Sequence, residues 1–75
     1  MVTLAKVIFV EAKGEDHGKW LLLDFRGALL AKVSVEVSDP QGIIAALSQM
    51  KKECGTRFPN ARLYPRSAVE YLVIQ

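Results

Sequence analysis

The sequence LLAKVSVEVSDP, residues 29–40, passes from a strand pattern to the start of a helix. Apolar residues occupy its odd positions from Leu29 to Val37 and alternate with mostly polar ones, the period of two of a half-buried strand. After Ser38-Asp39-Pro40, apolar residues recur at helical spacing, at Ile43, Leu47, Met50 and Cys54. The chain is therefore predicted to run as strands, then one helix, then further strands.

The helix start carries local signals of its own. Ser38 or Asp39 can accept a hydrogen bond from a free N–H of the first turn, and Pro40 then takes the first helical position. The pattern continues to about Glu53 or Cys54, and Gly55 is predicted to end the helix.

Upstream of residue 29, the sequence predicts two more strands. The first runs from Thr3 to Ala12 and the second from Lys19 to Arg26, joined by the polar turn Lys13–Gly18. Arg26-Gly27 closes a second hairpin, because glycine tolerates the positive φ of tight turns. The third strand follows and extends to Val37.

Downstream of the helix, Thr56–Asn60 is predicted to be a loop. A short strand over Ala61–Tyr64, cut by Pro65, and a last strand from Val69 to Ile74 complete the chain. The order β-β-β-α-β-β predicts an α+β fold, an antiparallel sheet with one helix packed on one face, in a single domain over residues 1–75.

The first two strands carry more apolar residues than one helix can cover. We expect Leu21, Leu23 and Phe25 to face the helix, so that Trp20 and Leu22 face away, near Ile8, Val10 and Leu30. An exposed apolar cluster with a Trp is typical of a binding interface. Two alternatives are a C-terminal segment that folds back over this face and a homodimer that stacks two sheets.

Charge is unevenly distributed along the chain. Residues 1–50 contain five Lys or Arg and six Asp or Glu, whereas residues 51–75 contain five basic and two acidic residues. Such an asymmetry favours contact with an acidic surface or nucleic acid, unless these are simply solvated residues. The basic candidates for partner binding are Lys51, Lys52, Arg57, Arg62 and Arg66.

No pattern in the sequence indicates catalysis, a cofactor or a metal site. Cys54 is the only cysteine and belongs to the apolar helix face, where a small core residue is the simpler interpretation. Glu15-Asp16-His17 could offer metal ligands, but a closed zinc site needs four. We therefore predict that the protein is not an enzyme.

Two further expectations concern setting and partners. No apolar run approaches the ~20 residues of a membrane span, and a single cysteine fits a reducing compartment, so we expect a cytoplasmic protein without membrane contact. The alternative to a protein partner is nucleic acid docked on the sheet, contacted by Lys19, Trp20, Arg26 and Lys32.

Several features of the helix and of the chain end resemble those of a known family. They are Ser38-Asp39-Pro40, the alanine-bearing helix with Gln49-Met50, the Gly55 stop and the terminal strand pair. In these features the chain resembles small anti-CRISPR proteins of phages and mobile elements, particularly a type I-F inhibitor. This resemblance implies a stoichiometric, non-catalytic inhibitor that binds a Cas subunit of a surveillance complex in the host cytoplasm. It would block DNA recognition or nuclease recruitment.

A second, weaker resemblance is to the YegP-like repeat. It rests on Phe9, Gly18-Lys19-Trp20, Gly27, and a helix with Ile43 or Ile44 and Lys51-Lys52. That family has no clear biochemical role to transfer. The combined prediction is a protein-interaction module that blocks a host defence protein.

Overall fold

The structure, a computed structural model, describes residues 2–11 and 17–75. The elements in chain order are β1 (Thr3–Glu11), β2 (His17–Asp24), β3 (Leu29–Glu36), α1 (Pro40–Arg57), β4 (Arg62–Ser67) and β5 (Glu70–Ile74). The predicted order β-β-β-α-β-β and the α+β class are confirmed. The predicted turn over residues 13–18 lies mostly outside the described residues, but His17 and Gly18 belong to β2.

The five strands form one antiparallel sheet in the order β3-β2-β1-β5-β4. Strand β1 is central, because it pairs with β2 on one side and with the last strand, β5, on the other. The alternative in which the C-terminal segment folds back over a sheet face is therefore wrong. That segment widens the sheet instead, and leaves the side opposite α1 without a covering element among the described residues.

The helix begins where the sequence predicts. Asp39 has extended backbone angles, φ −112° and ψ 95°, and its carboxylate accepts a hydrogen bond from the N–H of Gln41 at 3.2 Å. The predicted stop at Gly55 is wrong, because α1 continues to Arg57. The N–H of Phe58 donates to the carbonyl oxygen of Cys54 at 2.7 Å, and Pro59 then disfavours a further turn.

The turn between β2 and β3 confirms the predicted second hairpin. Gly27 has a φ of +86°, which an L side chain adopts only with strain. The Asp24 carboxylate accepts hydrogen bonds from the N–H groups of Arg26 and Ala28, both at 2.8 Å. These contacts hold the turn in a single conformation.

Strand β4 corrects another expectation. Pro65 was predicted to cut this strand after Tyr64, but the strand continues through Pro65 to Ser67. The reason is that β4 is an edge strand, where a residue without an N–H need not break a ladder of hydrogen bonds. The β4–β5 pairing has an irregularity immediately after Pro65, between Pro65 and Ser67.

The core lies between α1 and one face of the sheet. Its buried members are Ala5, Val7, Trp20, Leu22, Ala46, Met50, Cys54 and Val73. The predicted helix face is confirmed, since Met50 and Cys54 are buried and Ile43 and Leu47 pack against the cluster.

The prediction that Trp20 and Leu22 face away from the helix is wrong. Their exposed fractions are 2% and 0%, and the Trp20 indole N–H donates to the carbonyl oxygen of Ile43 in α1. The side chains on both faces of β2 are apolar, so the alternation alone does not decide which face is covered. Gly18, on the same face as Trp20, leaves room for the Phe9 ring, and this packing belongs to the helix side.

Candidate interaction surface

The open face is the side of the sheet opposite α1. Its members alternate along each strand with the core residues and share cross-strand pairs. They are Lys6, Ile8, Val10, His17, Lys19, Leu21, Leu23, Lys32, Ser34, Glu36, Arg62, Tyr64, Glu70, Leu72 and Ile74.

The centre of the open face is aliphatic. Ile8 lies opposite Leu21 across the β1–β2 pair, and Leu72 and Ile74 continue the apolar surface on β5. These side chains are half-buried although no described element covers them. Val10 and Tyr64, nearer the margins, are 37% and 41% exposed. A contiguous apolar area on a sheet face is typical of an interaction site.

Lys6 occupies the middle of this aliphatic centre. It lies opposite Leu23 on β2 and opposite Leu72 on β5, and it is half-buried. A lysine in this position covers its neighbours with its methylene chain and keeps its ammonium group in water. The open face therefore presents Lys6 among apolar side chains, with the half-buried Glu70 of β5 opposite the neighbouring Ile8.

Further cations surround the centre. Lys19, Lys32 and Arg62 are exposed members of the open face, and Arg66 lines a shallow depression of about 230 Å³ with Lys6, Phe25 and Leu72. Among the described residues, the carboxylates on this side are Glu36, Glu70 and Asp24, which lines the same depression. Glu70 pairs with Arg66 at 3.6 Å. The surface is thus positively charged around an apolar middle, which favours acidic partners.

The predicted site residues fall in three places. Trp20 and Leu22 are core residues and form no surface. Arg62 and Arg66 belong to β4 and contribute to the open-face side.

The remaining candidates lie on α1, on the other side of the sheet. Lys51 places its ammonium 5.0 Å from the centre of the Tyr71 ring, and Lys52 is exposed. Arg57 pairs with Glu53 at 3.5 Å and donates to the Leu30 carbonyl oxygen at 3.0 Å. The basic residues of the C-terminal part therefore do not form one patch.

Four members of the surface were not predicted from the sequence: Lys6, Leu21, Leu23 and Leu72. The available signal was the apolar character of both faces of β1 and β2, which predicts that some face stays uncovered. Which of the two faces stays uncovered is decided by the contacts of Trp20 with the helix, and these are seen only in the structure.

Within residues 2–11 and 17–75 no charged side chain is buried, and no three His, Cys, Asp or Glu are grouped to hold a metal ion. Burial raises the pKa of the Cys54 thiol to about 11, and the charge of Glu53 adds to this shift while Arg57 opposes it. Cys54 is therefore a protonated, weakly nucleophilic core residue at neutral pH.

No helix in the described part of the chain is long and apolar enough to cross a membrane. No family model, curated protein or solved structure gives a match to the chain.

Proposed function

We propose that this protein is a non-catalytic interaction module that binds another protein through the open face. The observation that carries the proposal is the aliphatic centre of Ile8, Leu21, Leu23 and Leu72, uncovered by any described element and surrounding Lys6. A protein partner that covers this area removes apolar surface from water, which drives association.

The charges on the open face indicate what kind of protein surface the partner should present. In the described part of the chain, the five cations on this side outnumber its three carboxylates; the cations are Lys6, Lys19, Lys32, Arg62 and Arg66, and the carboxylates are Asp24, Glu36 and Glu70. Stacking two open faces in a homodimer would bring these cations together, which is unfavourable at short range. The complementary partner is a protein surface with an apolar centre and acidic residues placed to meet Lys6 and the surrounding cations.

Nucleic acid is the less favoured partner. A base-stacking platform needs aromatic rings among the cations, but the rings of Phe9, Trp20 and Tyr71 pack together on the helix side of the sheet. The aromatic residues on the open-face side lie at its margins: Tyr64 on the edge strand β4, and Phe25, which is 69% exposed just after the end of β2. Aliphatic side chains at the centre suit a protein contact better.

The resemblance to type I-F anti-CRISPR proteins supports a more specific form of the proposal. In that form the chain is a phage-encoded inhibitor in the host cytoplasm, and its partner is a subunit of a CRISPR–Cas effector. Occupying that subunit would block defence without catalysis. This form predicts inhibition of the purified type I-F surveillance complex at a stoichiometric ratio.

The test compares Lys6→Glu with Lys52→Glu, a charge reversal of equal size on the exposed side of α1. Tagged proteins are used to capture partners from bacterial lysate treated with nuclease, and the purified effector complex is assayed in parallel. We expect the wild type and Lys52→Glu to retain the same protein in a one-to-one ratio. Lys6→Glu should weaken that binding at least about tenfold.

Arg62→Glu serves as a second open-face variant, because Arg62 is exposed on an edge strand, where we expect a substitution to have little effect on stability. Circular dichroism confirms that each variant is folded. Equal capture by the wild type and both open-face variants would overturn the proposal. Recovery of nucleic acid in untreated lysate, with partners lost on nuclease treatment, would overturn it in favour of the nucleic-acid alternative.

A further inference from the structure

The two edges of the sheet differ in their capacity to add a strand. At the β4 edge, Pro65 lacks an N–H and the pairing with β5 is irregular between Pro65 and Ser67. Such features discourage a further strand. At the other edge, β3 spans eight residues and contains neither proline nor glycine.

Strand β3 pairs with β2 alone within the described residues. Arg57 occupies one end of the β3 edge, where its guanidinium donates to the carbonyl oxygen of Leu30. The segment Lys32–Glu36 lies beyond that contact. This part of β3 is an edge strand of regular geometry, and its backbone is available to pair with a strand of another chain.

The sequence of this segment is complementary to itself. A two-fold axis perpendicular to the sheet pairs antiparallel edges and keeps each face on its own side. With the axis at Ser34, Lys32 lies opposite Glu36 of a second copy, and Val33 lies opposite Val35. The two Lys–Glu pairs fall on the open-face side, and the two valine pairs fall on the helix side.

Neighbouring registers lose this match. With the axis at Lys32, two ammonium groups oppose each other, and with the axis at Val33, Lys32 meets Ser34. Opposite charges directly across an antiparallel pair stabilise it, whereas like charges oppose it. The Ser34 register is therefore selected by charge.

We propose that two copies of this chain associate by antiparallel pairing of their β3 edges about Ser34. The result is one continuous sheet with both open faces on the same side. The contact is a short strand pair, so we expect a weak dimer with a dissociation constant in the micromolar range. This proposal does not depend on what the open face binds.

The test measures the mass of the purified chain by sedimentation equilibrium across the micromolar range, with no partner present. Lys32→Glu and Glu36→Lys each place like charges opposite one another, and both residues are exposed, so the fold is retained. Each single variant should raise the dimer dissociation constant about 10- to 30-fold. The double variant Lys32→Glu/Glu36→Lys restores the pairs and should return the constant to within about threefold of the wild type.

Lys52→Glu is the matched control, because it changes the net charge as Lys32→Glu does but lies on α1, away from the β3 edge. It should leave the dissociation constant unchanged. A monomeric wild type throughout the range would overturn the proposal. A dimer in which the double variant stays as weak as the single variants would also overturn it, since the Ser34 register requires recovery.

Discussion

The indole nitrogen of Trp20 lies 3.1 Å from the carbonyl oxygen of Ile43 and donates a hydrogen bond from the sheet to the helix. This contact joins β2 to the first turns of α1 across the core. The Trp20 ring also packs against Phe9, with ring centres 5.1 Å apart, and against Tyr71, at 6.2 Å. One side chain thus connects the helix to three neighbouring strands.

Trp20→Phe should reduce the free energy of unfolding by about 1–3 kcal/mol, because it removes the hydrogen bond and leaves part of the indole volume empty. Urea unfolding followed by circular dichroism measures the loss. The control is Tyr64→Phe, which removes a polar group from an exposed aromatic ring and should change stability by less than about 0.5 kcal/mol. Equal stabilities for the two variants would contradict a structural role for the Trp20–Ile43 contact.

Gly18→Ala should be destabilising although the change is a single methyl group. A Cβ atom at Gly18 would lie 2.5 Å from Cζ of Phe9, whose ring is already packed against Trp20. Moving that ring should cost about 1–3 kcal/mol of unfolding free energy. In a double-mutant cycle with Phe9→Leu, which shortens the opposing side chain, we expect the double variant to lose less than the sum of the single losses. Additive losses would show that the ring is not the obstacle.

Two glycine substitutions should change stability in opposite directions. Gly27→Ala places a Cβ at a φ of +86° and should cost about 1 kcal/mol. Gly55→Ala lies on an exposed turn of α1 with nothing within 4 Å of the added carbon, and should stabilise by up to about 1 kcal/mol. Thermal or urea unfolding of both variants gives the signs directly. A loss of stability in Gly55→Ala would mean that the helix does not continue through this residue.

Stability should fall in alkaline solution because of Cys54. Its pKa is raised from 9.0 to about 11, mainly by burial, so the folded state holds the thiol proton more tightly than the unfolded state. The resulting stabilisation is complete below about pH 9 and is lost as the pH rises through about 11. Unfolding free energies at pH 8, 9, 10 and 11 should therefore decline more steeply for the wild type than for Cys54→Ala. Parallel declines would place the pH dependence in other groups.

The sequence was sufficient to predict the features that depend on residues close together in the chain. Asp39 followed by proline predicts the helix start, and Gly27 predicts the turn, because each acts through its own backbone geometry. The end of the helix was harder. Glycine is a common helix stop when it adopts a positive φ, but Gly55 has a helical backbone and α1 continues through it. Phe58 and Pro59 follow the actual end.

The orientation of β2 could not be predicted from its alternation, because both of its faces are apolar. The choice depends on contacts between distant residues: the space that Gly18 gives to Phe9 and the acceptor that Ile43 gives to Trp20. An apolar sheet face that no described element covers is present as predicted, and Ile8 and Val10 lie on it. Its β2 members were assigned wrongly, because Leu21 and Leu23 lie on this face and Trp20 and Leu22 lie in the core. Lys6 was missed for a related reason, since β5 must pair with β1 before Leu72 lies beside Lys6.

The burial of Trp20 decides what optical spectroscopy can report about this protein. It is the only tryptophan in the chain, it is 2% exposed, and it lies beside Tyr71 on the helix side of the sheet. Its emission should therefore be blue-shifted in the native state and move to longer wavelength on denaturation, which makes it a reporter of folding. Occupancy of the opposite side of the sheet should leave that emission nearly unchanged, so titrations of the open face need an extrinsic dye or a calorimeter.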